Sequence, residues 1–190
     1  MVNEVPGAGP KLVPSHTPII NKQLLNQRLS ALLENYSIRS VEDKTTQIKD
    51  LILQGADVNT QDEYGSTALH FATANGVKEL VEFLIAKGVD VNICCNAGDN
   101  PLLSAIAGKH REHRAIAKLL IEEGIDPNTK NLWGYTPLQW AGAEGDKEFV
   151  ELLLIHQADP NAKDILGRSC LQYAKNQEIA ELLKKHGAIE

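Results

Sequence analysis

The 190-residue chain is 43% hydrophobic and 23% charged, an ordinary globular balance that can bury a core. Its formal net charge of −6 speaks against a nucleic-acid module, which needs a basic face to neutralise phosphates. Aromatic residues make up only 5%, so the core has to be built from Leu, Ile, Val and Ala, which suit helices that approach closely.

Residues 1–20 hold Pro6, Pro10, Pro14 and Pro18 and are expected to form an extended, flexible N-terminal arm. They lack the basic start and apolar stretch of a secretory signal, and no segment approaches the roughly 18 apolar residues of a membrane span. The expected compartment is therefore the cytoplasm, with the nucleus and delivery into a host cell left open. Asn35-Tyr36-Ser37 fits a glycosylation acceptor by pattern and, without a secretory route, is read as chance. The spacing of Leu24, Leu25, Leu29, Leu32 and Leu33 predicts a helix over 22–34, and a second helix is expected over 41–54.

From there the chain repeats. Gly65, Gly98, Gly134 and Gly167 lie 33, 36 and 33 residues apart. Asp57, Asp90, Asp126 and Asp159 keep the same step, as do Leu69, Leu102, Leu138 and Leu171, and so do Asn59, Asn92, Asn128 and Asn161. Within a unit such as Tyr64-Gly65-Ser66-Thr67-Ala68-Leu69-His70, the glycine allows a turn and Thr67 can cap a helix. In the fourth unit Pro137 takes the first helical position, where a missing N–H is harmless. A glycine turn (Gly76, Gly145) leads to a second helix marked by Leu80, Val81, Leu84 and Ile85, or by Phe149, Val150, Leu152, Leu153 and Leu154. Gly55, Gly88 and Gly124 stop these second helices.

Asp62 to Ala72, Asn131 to Ala141 and Gly55-Ala56-Asp57-Val58-Asn59 closely resemble the ankyrin-repeat pattern, a 33-residue helix-turn-helix-hairpin unit. The resemblance covers about residues 41–190. It implies an all-α repeat solenoid, here with an atypical N-terminal helical cap. The expected division is an arm over 1–20 and one repeat domain over 21–190. That domain splits into a cap or first unit 21–61, units 62–94, 95–130 and 131–163, and a C-terminal capping unit 164–190.

Four departures stand out. In Cys95 to Ala105, Asn100 replaces the capping Thr and Leu103 the usual His. Three extra residues fall within Gly108 to Arg114 and should lengthen the link between that unit's helices or extend one of them. Gln157 stands where a glycine cap is usual, so its turn is expected to be strained or differently capped. The last unit is three residues short, and its polar second helix with Glu181, Lys184 and Lys185 is what a terminal cap requires.

No catalytic constellation emerges. His110-Arg111-Glu112-His113 is not HExxH, and both histidines are read as solvated loop residues. Cys94, Cys95 and Cys170 form no CxxC pair and are read as free thiols, so neither a metal nor a cofactor is expected. An enzyme is not expected either.

The family resemblance implies that another protein binds the concave face of hairpin tips and first helices. Its positions carried over give Glu63, Tyr64 and Ser66; Asn96, Ala97 and Asp99; Leu132, Trp133 and Tyr135; Ile165, Leu166 and Arg168. Ala74, Asn75, Ala107, Ala143 and Glu144 are added from the first helices. Trp133 and Tyr135 are weighed towards binding, whereas Phe71, Trp140 and Tyr173 are weighed towards packing between first helices. The chain is expected to be a monomeric adaptor. An inhibitor that occludes a partner's surface, a regulatory piece of a larger enzyme, and a bacterial effector stay open. Leu51, Leu84, Leu120 and Leu153 each precede a hairpin Asn by eight residues, a spacing that resembles substrates of an asparaginyl hydroxylase. Asn59, Asn92, Asn128 and Asn161 are thus candidate modification sites, although a structural role explains the spacing better.

Overall fold

The computed structural model describes residues 21–34, 40–108 and 111–189. The described residues form α1 (Lys22–Glu34), α2 (Val41–Leu53), α3 (Ala68–Ala74), α4 (Lys78–Ala86), α5 (Pro101–Ala107), α6 (Arg111–Glu122), α7 (Pro137–Glu144), α8 (Lys147–Ile155) and α9 (Gln177–Lys185). A single 3-10 turn, Cys170–Tyr173, lies before α9. The expectations for residues 1–20, for Asn35-Tyr36-Ser37 and for Lys109 and His110 lie outside the described residues. Among those described, no helix is long and apolar enough to cross a membrane.

The first helices α3, α5 and α7 and the 3-10 turn stack in one layer, and second helices pack behind them. Between the layers Leu69, Leu80, Leu84, Leu102, Ile116, Leu120, Leu138, Phe149, Leu153 and Ile179 are fully buried. Alanine at Ala68, Ala72, Ala105 and Ala141, all fully buried, lets neighbouring first helices approach closely.

An Asn–Asp ladder sets the spacing between units. The Asn59 carboxamide Oδ1 accepts the Asp90 N–H at 2.9 Å, Asn92 that of Asp126 at 2.8 Å, and Asn128 that of Asp159 at 2.7 Å. Each Asp in turn accepts the N–H of the Asn two residues on, as Asp90 does from Asn92 at 2.9 Å. At the N-terminal end, Asn26 of α1 accepts the Asp57 N–H at 2.8 Å. Glu34 of α1 accepts the Glu63 N–H at 3.2 Å, where later hairpins use a carbonyl of the hairpin before. Two side chains of α1 thus replace a preceding unit.

The departures each have a local cause. Asn100 caps α5 through Leu103 N–H at 3.1 Å and donates its own amide to Asp126 O at 3.2 Å. The extra residues lengthen α6 to 12 residues against 9 in α4 and α8. His113 is therefore not a solvated loop residue. It lies in α6, is buried, and donates from Nε2 to Ala74 O at 3.2 Å, because helical spacing puts it on one stripe with Ile116, Ala117 and Leu120. Gln157 does adopt a left-handed φ of 66°, the strain foreseen for a non-glycine cap. The shortening of the last unit falls on its first helix, reduced to the 3-10 turn.

Hairpins stack so tightly that some glycines are needed twice over. At Gly134 (φ 76°) a Cβ would stand 2.8 Å from Ile165 N, whereas at Gly167 (φ 76°) it would meet nothing within 4 Å. Gly167→Ala is expected to lose about 1–2 kcal/mol from the left-handed backbone alone. Gly134→Ala should lose about 1–3 kcal/mol more from the forced shift of the next hairpin. Urea unfolding of the two variants measures the difference, and equal losses would rule out the close stacking.

Candidate binding face

Each hairpin is shaped by one side chain at its entry. Asp62 Oδ1 accepts the N–H groups of Tyr64 and Ser66 at 2.9 and 2.8 Å, and Asn131 Oδ1 those of Trp133 and Tyr135 at 3.1 and 3.0 Å. Asp164 Oδ1 does the same for Leu166 and Arg168. With the backbone so held, the two tip side chains must point away from the fold. Leu132 is 68% exposed, Trp133 52%, Ile165 68% and Leu166 69%, so two adjacent tips present four large apolar groups. Tyr64 is also exposed, beside the acidic Glu63.

The other candidates are not equally available. Asn96 braces two hairpins by donating to Glu63 O at 2.9 Å. Asp99 Oδ1 accepts from Asn131 Nδ2 at 3.0 Å. Asn75 folds back on Phe71 O at 2.8 Å, Ser66 is half-buried, and Glu144 is exposed at the end of α7. Tyr135 is half-buried, with its ring edge-on to Tyr173 at 5.4 Å and to Trp140 at 6.5 Å. Arg168 is tied to Asp164 Oδ2 at 2.7 Å and to Tyr135 Oη at 3.0 Å, with its guanidinium 5.0 Å from the Tyr173 ring centre. Tyr135 and Arg168 therefore buttress the last two hairpins. Burial alone pushes the Asp164 carboxyl up. The Tyr173 hydroxyl and the N–H groups of Arg168 and Leu166 outweigh it and hold the carboxyl well below the usual carboxylate range.

The first helices supply the floor. Trp140, read from the sequence as packing, is 37% exposed here, because the small Ser104 and Ala107 of the preceding unit do not cover it. Phe71 and Tyr173 are half-buried, as packing residues are. Lys44 Nζ lies 4.8 Å from the Phe71 ring centre and donates to Leu33 O at 2.8 Å, so this buried cation joins α2 to the C-terminal end of α1. The four hairpin asparagines are engaged in the ladder, and Asn92, Asn128 and Asn161 also use their Nδ2 on a carbonyl of the next unit. Among the described residues no group of three or more His, Cys, Asp or Glu could hold a metal ion.

The regular step between units is what the comparisons recognise. The family model of ankyrin repeats in three copies matches residues 37–131 and again 110–189. The chain belongs to the ankyrin-repeat family. A putative ankyrin repeat protein of Rickettsia bellii is 31% identical over 156 residues, which is 75% of this chain and 84% of that protein. The putative ankyrin repeat protein YahD of Escherichia coli is 29% identical, over 68% of this chain and 66% of its own length. Mouse ankyrin repeat and SOCS box protein 16 is 37% identical over 46% of this chain, which spans only 20% of that longer protein. Ankyrin repeats generally mediate protein–protein interaction and are generally non-enzymatic, although some form part of larger enzymes.

His70 shows how chemistry enters the scaffold. Its Nδ1 accepts the Thr67 N–H at 3.2 Å, and Nε2 donates to Asp99 O at 3.1 Å, which fixes the neutral ring. Burial lowers its pKa, only partly opposed by the Asp99 carbonyl and by the charges of Asp62 and Asp99. Gln139 makes the same contacts in the fourth unit, accepting from Thr136 N–H at 3.0 Å and donating to Arg168 O, the counterpart of Asp99 O, at 3.0 Å. Below the ordinary histidine value near 6.5 the unfolded chain binds a proton that folded His70 refuses, so stability falls as pH falls through that interval. His70→Gln should keep the neutral-pH Tm within a few degrees and flatten its fall between about pH 7.5 and 5.5. A thermal melt series that fell just as steeply in the variant would clear His70 of the acid sensitivity.

Proposed function

We propose that the chain is a non-enzymatic interaction module that docks one partner protein on its face of hairpin tips and first helices and recruits it as an adaptor. The observation that carries this reading is the apolar pair of tips, Leu132-Trp133 and Ile165-Leu166, exposed together on neighbouring hairpins. Contiguous exposed apolar groups mark interfaces, and Trp is among the residues most enriched at binding hot spots. The hydrogen bonds beneath the tips support it further, since groups held rigidly before binding lose little conformational freedom on docking. Three free thiols, one buried and two half-buried, suit a reducing compartment such as the cytoplasm.

The test compares affinity capture by the wild type, by Trp133→Ala/Leu166→Ala, and by Ile155→Ala at the exposed end of α8. All three must show matching thermal unfolding. A partner held by the wild type should bind the double variant about 30-fold more weakly or worse, as loss of a hot-spot Trp implies, and bind Ile155→Ala unchanged. Equal binding by the double variant would remove the hairpin tips as the docking site.

A further inference from the structure

At the centre of the hairpin face, behind the tips, lies an open cavity of about 310 Å³ between the second, third and fourth units. Ala74, Leu103, Ala107 and Gly108 make its apolar lining, and Trp140, Ser104 and Asp99 supply an indole, a hydroxyl and a carboxylate. Asp99 is the one charged residue among the described residues that line it. Its Oδ1 is taken by Asn131 Nδ2 at 3.0 Å, which fixes the carboxylate, while Oδ2 takes no hydrogen bond among the described residues. The backbone of Asp99 is fixed as well, because its carbonyl accepts both the Cys95 N–H at 2.9 Å and His70 Nε2–H at 3.1 Å.

We infer that this cavity receives a single positively charged side chain, arginine or lysine, of the docked partner. The inference rests on the hairpin face being the docking surface and names what the partner must present there. Three features select a cation. A pre-positioned carboxylate oxygen offers a charge-assisted hydrogen bond. An indole wall attracts a cation through its quadrupole and packs on an alkyl or guanidinium plane. The negative balance of the whole chain favours the approach of a basic partner. An anionic group would instead face Asp99 with no lining cation among the described residues to offset it, and a neutral apolar group would leave Asp99 Oδ2 covered and without a partner. At the small end of binding-pocket sizes, the volume suits one side chain better than a cofactor. The neighbouring cavity of about 500 Å³, which shares Ala74, Asp99 and Ser104, already contains its own cation in Lys44.

The experiment uses the full chain labelled with ¹⁵N and three capped tripeptide probes, Gly-Arg-Gly, Gly-Lys-Gly and Gly-citrulline-Gly, at millimolar concentration. The indole N–H signal of Trp140 is followed, with that of Trp133 as an internal control, each assigned by its own Trp→Phe variant. Arg and Lys probes should shift the Trp140 signal saturably, with Trp133 unmoved, and citrulline should bind about tenfold more weakly. Asp99→Asn keeps an oxygen for Asn131 and should weaken the Arg and Lys probes to the citrulline level. Ser104→Leu, which fills the cavity from its wall and leaves Asp99 in place, should abolish the shift. Citrulline binding as well as arginine, an unchanged affinity in folded Asp99→Asn, or no Trp140 shift with any probe overturns the inference. Failure here, with the partner still lost on Trp133→Ala/Leu166→Ala, would leave the docking face standing and remove only its cation pocket. The reverse pattern would leave the pocket and remove the tips.

Discussion

One amide group per unit holds the array in register. Each ladder asparagine spends its carboxamide oxygen on the first N–H of the next unit's Asp, and that Asp spends a carboxylate oxygen on the following Asn. The bond distances stay within 2.7–2.9 Å across three junctions, so the rise between units is nearly constant even where the third unit is three residues longer. On the other side of each unit a hairpin N–H meets a carbonyl of the preceding hairpin, from Tyr64 O through Ala97 O to Trp133 O. Between these two lines of bonds the apolar layers have one way to stack. Every surface property of the hairpin face follows from that fixed rise.

Because the ladder and the hairpin-entry residues carry most of the structure, the tip residues other than Asn96 are released from it. Positions equivalent to one another hold Glu63, Asn96, Leu132 and Ile165, a series with no common chemistry. A scaffold built from backbone amides tolerates such variety, since a change at Glu63, Leu132 or Ile165 leaves the backbone hydrogen bonds beneath intact. The face is accordingly uneven, with an acidic and polar N-terminal half and an apolar C-terminal one. Arg168 is drawn back into the scaffold on Asp164 and Tyr135, while the neighbouring Ile165 and Leu166 stay exposed.

The fold was legible because the repeat is written in residues with few alternatives: glycine where φ is positive, Asn and Asp where a side chain must replace a backbone partner. The tips were legible for the same reason, by position. What escaped depends on a neighbouring unit. Trp140 resembles Phe71 and Tyr173 in sequence, and only the small Ser104 and Ala107 one unit earlier leave it uncovered. His113 looked solvated because its neighbours Arg111, Glu112 and Arg114 are charged, yet Ile116, Ala117 and Leu120 continue its face at helical spacing. That stripe was available to be read. Arg168 found Asp164 four residues back, within reach of sequence reasoning, whereas its bond to Tyr135 crosses a whole unit. The roles of Asn26 and Glu34 in α1 had no signal, because they replace a hairpin without resembling one.

The hairpin of the third unit, the second of the four, is built differently from its neighbours. Asp62, Asn131 and Asp164 each gather two N–H groups of their own turn, but Cys95 at the equivalent place offers only a thiol, a poor acceptor. In an array whose stability is a sum of terms within and between adjacent units, that hairpin is held from outside instead, with Asn96 N–H on Tyr64 O at 2.8 Å and Asn96 Nδ2 on Glu63 O at 2.9 Å. The hairpin at Cys95 thus leans on its neighbour for what the others draw from their own entry residue.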